Sequence, residues 1–370
     1  MNNGCVAKNK KIVIACGGTT GHILPGIVLG KKLKELGYEV VFFCSEKKKF
    51  VMDKEAEIFK KQGFSAFPVP SIAMPTDKNI FYWLRFFKIM SCGIFYSKKI
   101  LKNISPSVVV GMGGFASAPV VFSAKMLNIP ILIHEQNATP GRANLFLSKY
   151  ASTVAVGIED AKKYFKNKNV VYTGNLIKED IFNNILPQNS LSKDKTTILV
   201  LGGSQGSHLI NEQVLLALEK LPENIKSRIQ VIHITGIADY KSVRQRYALL
   251  KIPCVVFDFS DKITGIYKVS NVAICRAGAG TITELCAFGL PAILIPHSAG
   301  TNHQVYNARW LQTKTGCIVI EEKELSPEVL CCEILRIIDK NIKDEISSKM
   351  VRLYKKDAVL SLVNQVINAK

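Results

Sequence analysis

The chain carries ten cysteines but no CxxC pair, six histidines but no HxxxH, and 29 acidic residues but no D-x-D. Zinc ribbons, helix-borne zinc sites and paired aspartates that clamp a divalent ion are thereby excluded as local motifs, and no metal or other cofactor is expected. The cysteines, from Cys5 to Cys332, are scattered through apolar stretches and read as small buried hydrophobes of a reducing compartment. There is no uncharged apolar run long enough to span a bilayer, and the opening MNNGCVAKNKK lacks the apolar centre of a signal peptide. The expectation is a chain that stays in the cytosol and does not cross a membrane.

With 370 residues and 48% hydrophobic content, the chain suits two α/β domains better than one core. Its net charge of +20 is uneven: residues 1–175 hold 25 Lys and Arg against 10 Asp and Glu, an excess of +15, leaving +5 for the remainder. Such asymmetry points to an anionic surface or polymer as partner of the first half, acidic lipid or nucleic acid, or else to a lysine-rich proteome.

Strand-like apolar runs alternate with helical segments throughout. In the first half they are Ile12 to Ala15, Val40 to Cys44, Val108 to Val110, Ile131 to His134, Thr153 to Val156 and Val170 to Tyr172. After a polar stretch the rhythm restarts with Thr197 to Leu201, Gln230 to Ile234, Cys254 to Phe257, Val272 to Cys275 and Ala292 to Ile295. The fold class is α/β, two Rossmann-like doubly wound domains whose carboxyl edges face a cleft. The expected bounds are 1–175, a linker over 183–195, and 196–343, with a long amphipathic helix over 344–369 packing back on the first domain.

Glycine turns carry the chemistry. In CGGTTGHILPG, Cys16 to Gly26, a buried strand runs into bare backbone and then a helix opening on His22, with Pro25 in its first turn. Free amides and the positive dipole end there suit an anion or a sugar. The second half repeats the device in ILVLGGSQGSHLIN, where amides and the Ser204 hydroxyl could bind a diphosphate. CRAGAGTITELCAFGLPAILIP follows, with Glu284 placed either to accept both hydroxyls of a ribose or simply to match the helix dipole. Gln304, just past a strand end, is placed for a sugar hydroxyl. With no metal motif, the phosphates must be neutralised by amides, helix dipoles and a cation such as Lys178.

Three segments of the first half complete the reading. VVVGMGGFASAPV fits a dinucleotide fingerprint only superficially, because the following NIPILI is apolar and supplies no ribose anchor. IHEQNATPGRAN puts His134, Glu135, Gln136 and Asn137 at a strand's carboxyl edge, like a site lining. Asn79 to Lys102 is basic and aromatic, with Phe81, Trp83, Arg85, Phe87 and Lys88 suited to an anionic membrane interface. Because the rings cluster in one apolar helix and form no stacking platform, nucleic acid is not expected as a partner.

Taken in order, GGTTGHILPG, GMGGFASAP, HEQNATPGRAN, TGNLIKED, LGGSQGS, RAGAGTITE and NHQVYNA resemble the family 28 N-acetylglucosaminyltransferases of bacterial cell-wall synthesis, over residues 10 to 310. The resemblance implies the two-domain GT-B fold and a hexosyltransferase at the cytoplasmic face of the plasma membrane, held peripherally. It implies UDP-N-acetylglucosamine as donor, undecaprenyl-diphosphate-linked N-acetylmuramoyl-pentapeptide as acceptor, and cell-wall synthesis proteins as further partners. Donor contacts carried over fall on Thr19, Thr20, Gly21, Asn137, Ser204, Ser260, the stretch Ala279, Gly280, Thr281, Ile282, Thr283 and Glu284, and Gln304. This chain departs from the family at Lys178, where arginine is frequent, and at Phe115, where tyrosine is.

The implied chemistry is an inverting displacement in which the muramoyl 4-hydroxyl attacks the anomeric carbon and UDP leaves. His22 is the first choice of base, since an unperturbed imidazole titrates at about 6.5, and Glu135 is held in reserve; His22 could instead orient the loop or a phosphate. The other function classes are a transferase acting on diacylglycerol and a non-catalytic nucleotide-sugar-binding protein.

Overall fold

The computed structural model describes residues 10–46, 52–75, 79–166, 169–177, 191–203, 206–260, 263–298 and 302–370. The chain divides into two compact units, Met1–Ile177 with Asp357–Lys370, and Lys178–Lys356. The stretch read as a linker, 183–195, is described only from residue 191.

In the first unit the order is β1 (Lys11–Ala15), α1 (Thr20–Glu35), β2 (Glu39–Ser45), α2 (Met52–Lys61), β3 (Ser65–Val69), α3 (Ile80–Ile104), β4 (Val108–Gly111), α4 (Ser117–Met126), β5 (Ile131–Glu135), α5 (Arg142–Leu147), β6 (Thr153–Val156) and β7 (Asn169–Tyr172). The sheet is parallel throughout, ordered β3-β2-β1-β4-β5-β6-β7. Period-two alternation splits it into two cores. Ile12, Ile14, Phe42, Val108 and Val110 face one way, while Val13, Ala15, Val41, Phe43 and Val109 face the other. Helix α1 covers the first face through Ile23, Ile27 and Leu33, and α4 the second through Val120, Val121 and Ala124.

The second unit runs β8 (Thr196–Leu201), α6 (His208–Glu219), α7 (Glu223–Lys226), β9 (Ile229–Ile234), α8 (Tyr240–Leu250), β10 (Cys254–Phe257), α9 (Ile263–Val269), β11 (Val272–Cys275), α10 (Ala279–Phe288), β12 (Ala292–Leu294), α11 (His303–Thr315), β13 (Ile318–Val319), α12 (Pro327–Ile337) and α13 (Lys340–Leu353). Its parallel sheet is ordered β10-β9-β8-β11-β12-β13. A last helix, α14 (Ala358–Ile367), returns to the first unit and buries Ala358, Val359, Leu362, Val363 and Val366 in the core beneath α1.

The structure differs from the sequence reading in four places. Strand β3, SAFPV, carries Pro68 and is tolerated because it is the outermost strand, where one missing amide costs little. Strand β13 is only two residues long. Helix α1 begins at Thr20 rather than His22, after Thr19 in extended backbone (φ −144°, ψ 153°), so Pro25 lies in the second turn and releases the Gly21 carbonyl from the helical ladder. The single helix expected over 344–369 is two, because the backbone becomes extended at Tyr354 (φ −78°, ψ 123°), and only the second belongs to the first unit.

Leu362 is fully buried. Replacing it with alanine is expected to destabilise the first unit by about 2–5 kcal/mol. A urea titration should show that unit's transition moved to lower denaturant, with the second unit's transition unmoved.

Candidate functional site

In each sheet the strand order reverses direction once, between β1 and β4 and between β8 and β11. Crossovers leave such neighbours on opposite faces and open a crevice at their carboxyl ends. Both pairs of glycine turns noted in the sequence emerge at these two places.

At the first crevice the loops after β1 and β4 are in close contact. The buried Ser117 hydroxyl lies 2.9 Å from the Ala15 carbonyl and 2.7 Å from that of Gly113, so one donor ties both loop roots together. Gly113 (φ +96°) and Gly114 (φ +80°) are both left-handed; a Cβ on Gly114 would collide with the Gly17 carbonyl, and one on Gly113 would stand 2.9 Å from His22 Cε1. The His22 ring is thus packed against bare backbone. Its Nδ1 lies 3.2 Å from Gln136 Oε1. Thr19 and Gly21 are exposed beside it, Thr20 is the first residue of α1, and the first turn of α1 carries no acid.

The HEQN segment is inward-facing. His134 is fully buried, with Nε2 3.3 Å from the Gly174 carbonyl and Nδ1 3.1 Å from Gln136 Nε2. Burial is the main cause that holds its pKa down to about 4, so it is neutral at neutral pH. Glu135, expected as the reserve base, is 1% exposed and accepts from Asn137 N and Nδ2 (both 2.9 Å), Gly141 N (3.0 Å) and Asn144 Nδ2 (2.9 Å). Its oxygens hold the 137–144 loop and Asn137 in place, a scaffolding role that leaves little for proton abstraction.

In the second unit α10 begins at the carboxyl end of β11 with Gly278 as cap and no acidic residue in its first turn. Ala279, Gly280 and Thr281 are part-exposed there, whereas the Ile282 side chain is core, so any ligand contact it makes is through backbone. The Thr283 hydroxyl donates to the Ala279 carbonyl at 2.7 Å. Glu284, half-buried, accepts from the Tyr267 hydroxyl at 2.9 Å, and burial keeps that phenol protonated far above its usual range. Gln304 accepts from His297 N at 3.0 Å, and Ser260 follows the exposed Phe259 beyond β10. Ser204 and Lys178 lie outside the described residues.

Sequence reasoning passed over Tyr267 and a second anchor, Arg276. The Arg276 guanidinium meets Glu322 at 2.7 Å, donates to Ser207 Oγ at 2.9 Å and to the Ile295 carbonyl at 3.0 Å, tying its own loop to those after β8, β12 and β13. Burial opposes charge on Glu322, yet donors from His297 and Ser298, with Arg276 alongside, hold its carboxyl down to about 2. This anchor is complete above the ordinary glutamate range and weakens only as pH falls towards about 2. Both partnerships join residues far apart in sequence, so no local pattern reports them. Among the described residues no three His, Cys, Asp or Glu side chains gather as a metal site.

Helix α3 is capped by Asn79, whose side chain accepts from Phe81 N at 3.0 Å. Its buried positions are Met90, Gly93, Ser97 and Leu101, all in the later part. Before them Phe81 is 74% and Phe87 58% exposed, with Ile80, Leu84, Arg85 and Lys88 also exposed, and Trp83 meets Phe86 edge-on and Phe87 at a tilt, each with centroids 5.9 Å apart. Among the described residues no helix is long and apolar enough to cross a membrane.

Residues 12–156 match the glycosyltransferase family 28 N-terminal domain and residues 197–363 its C-terminal domain. The UDP-N-acetylglucosamine–N-acetylmuramyl-(pentapeptide) pyrophosphoryl-undecaprenol N-acetylglucosamine transferase of Thermodesulfovibrio yellowstonii is 36% identical over 337 residues, covering 89% of this chain and 90% of its own. The protein of the same name from Halothermothrix orenii is 33% identical, covering 95% and 98%. Among solved structures, Acinetobacter baumannii MurG superposes with a TM-score of 0.77 at 24% identity, covering 96% of this chain and 99% of that one, which supports the fold. Two parallel doubly wound units, matched over both halves, place this chain in glycosyltransferase family 28: it is a hexosyltransferase of the N-acetylglucosamine transferase group.

Proposed function

We propose that the chain transfers N-acetylglucosamine from UDP-N-acetylglucosamine to the muramoyl 4-hydroxyl of undecaprenyl-diphosphate-linked N-acetylmuramoyl-pentapeptide, with inversion. The observation that carries the donor assignment is the second unit's crevice, where an acid-free helix start stands one turn before Glu284, whose carboxylate Tyr267 holds ready for a ribose diol. Amides at the start of α10 suit the charge that develops on the departing diphosphate. Gln304 is already ordered by the His297 amide and offers its own amide to a sugar hydroxyl.

In the first unit His22 is the base. As the acceptor oxygen bonds to the anomeric carbon, the bond from that carbon to the UDP oxygen breaks, and the hydroxyl proton passes to the imidazole. Glu135 is already committed to four donors and keeps the loop carrying Asn137 in shape.

The exposed rings at the start of α3, flanked by Arg85 and Lys88, support peripheral docking on the anionic cytoplasmic face of the membrane. The +15 excess in residues 1–175 adds a long-range attraction of the same sign.

Three outcomes follow. His22→Ala is expected to lower kcat by about 10²- to 10⁴-fold and to remove the acidic limb of the pH–rate profile; near-normal turnover with an unchanged profile would sink the base assignment. Tyr267→Phe deletes one hydrogen bond worth about 1 kcal/mol, so the KM for UDP-N-acetylglucosamine should rise about fivefold with kcat held, measured by steady-state assay on a soluble acceptor. The double variant Phe81→Ser, Phe87→Ser should lose binding to vesicles containing phosphatidylglycerol while keeping activity on a short-chain acceptor; equal loss in both assays would mark the segment as structural.

A further inference from the structure

An imidazole has two neutral tautomers and a carboxamide two orientations, and neither is fixed by shape alone. Around His22 both are fixed, because the chain of hydrogen bonds through Gln136 ends on groups that can only accept. The Met112 carbonyl lies 2.9 Å from one terminal atom of Gln136, which must therefore be the amide nitrogen. The other terminal atom, the oxygen, then faces His22 Nδ1 at 3.2 Å, and that nitrogen must carry the hydrogen. The same amide nitrogen lies 3.1 Å from His134 Nδ1, which must be the lone-pair nitrogen of its ring. His134 consequently has its hydrogen on Nε2 and donates it to the Gly174 carbonyl at 3.3 Å. Every link is consistent with its neighbours. Reversing the amide would set its oxygen against the Met112 carbonyl and leave two acceptors in contact.

We propose that Gln136, backed by His134, is a positioning residue that holds His22 in its Nδ1–H tautomer, so that the lone pair resides on Nε2. The proposal rests on reading His22 as the base: a base needs its lone pair on the nitrogen that meets the hydroxyl, and the wrong tautomer has none there. Gly113 lets the loop after β4 lie against the ring, since a Cβ there would stand 2.9 Å from His22 Cε1 and 3.0 Å from Nδ1. The relay is electrically neutral. His134 is fully buried and held down to about 4, so it does not protonate and reverse the amide under working conditions. The other titratable group nearby, Glu135, is occupied by its four donors; the first turn of α1 holds no acid, and neither does the loop from Met112 to Phe115. Among the described residues of these elements, the Gln136 amide oxygen is the acceptor that faces His22 Nδ1.

The test uses the full chain with ¹⁵N-labelled histidine, the His22 signals being identified by their loss in His22→Ala. Wild type at pH 8 should show His22 with a protonated Nδ1 and an unprotonated Nε2, and Gln136→Leu should shift it to a tautomer mixture. In the same variant kcat should fall about ten- to a hundredfold, with the KM for UDP-N-acetylglucosamine within about twofold. Gln136→Glu keeps the acceptor facing His22 but gives up both bonds made by the amide nitrogen. It should restore kcat relative to Gln136→Leu and move the acidic limb to higher pH, because a carboxylate beside an imidazole favours its protonated form. A purely structural Gln136 would make the glutamate and leucine variants equally poor, and that result overturns the proposal. So does a wild-type His22 spectrum with the hydrogen on Nε2, which needs no variant to fold. Failure of the base reading has a different signature: the predicted tautomer is seen and depends on Gln136, yet His22→Ala and Gln136→Leu both turn over at the wild-type rate.

Discussion

The crevice of the first unit is organised around one bond between a side-chain amide and a backbone carbonyl, from Gln136 to Met112. It joins the end of β5 to the loop after β4, while the place where the sheet reverses direction, between β1 and β4, is bridged by Ser117. A parallel sheet leaves the carboxyl ends of its strands with loops that must find partners locally. Here Gln136 supplies one, Ser117 supplies two more, and Asn175 donates to the Gln136 carbonyl at 2.9 Å. The ring of His22 inherits its position from bonds that first serve to satisfy backbone.

The second unit meets the same demand with charge. Arg276 reaches the cap of α6 and the loops after β12 and β13 and is neutralised by Glu322, while Asn307 donates to the Ala277 carbonyl at 3.1 Å. Two sheets of similar topology thus hold their crevices differently, one through Gln136, His134 and the buried Glu135 carboxylate, the other through a guanidinium clamp.

Much of this was legible from residue order. Central strands such as Ile12 to Ala15 and Thr197 to Leu201 are continuous apolar runs because both faces are covered, and glycine turns announce themselves where backbone must approach backbone. Strand β3 was obscured by Pro68, and β13 is too short to have a period. The break at Tyr354 has no glycine or proline to mark it. In the crevices His22, Glu284 and Gln304 could be picked out as polar residues at strand ends, but their supports could not. Tyr267 lies 17 residues from Glu284 and Glu322 lies 46 from Arg276, and pairings of that kind are set by how the sheet folds. Glu135 looked like a candidate base because the sequence cannot reveal that four donors converge on it.

The return of α14 to the core beneath α1 makes the second unit an insertion within the first. During synthesis the later unit is complete once residue 356 has emerged, while the earlier one still lacks the helix that seals its apolar face. The apolar face of the earlier unit is therefore sealed only after the later unit has been made, reversing the usual order in which leading domains mature first.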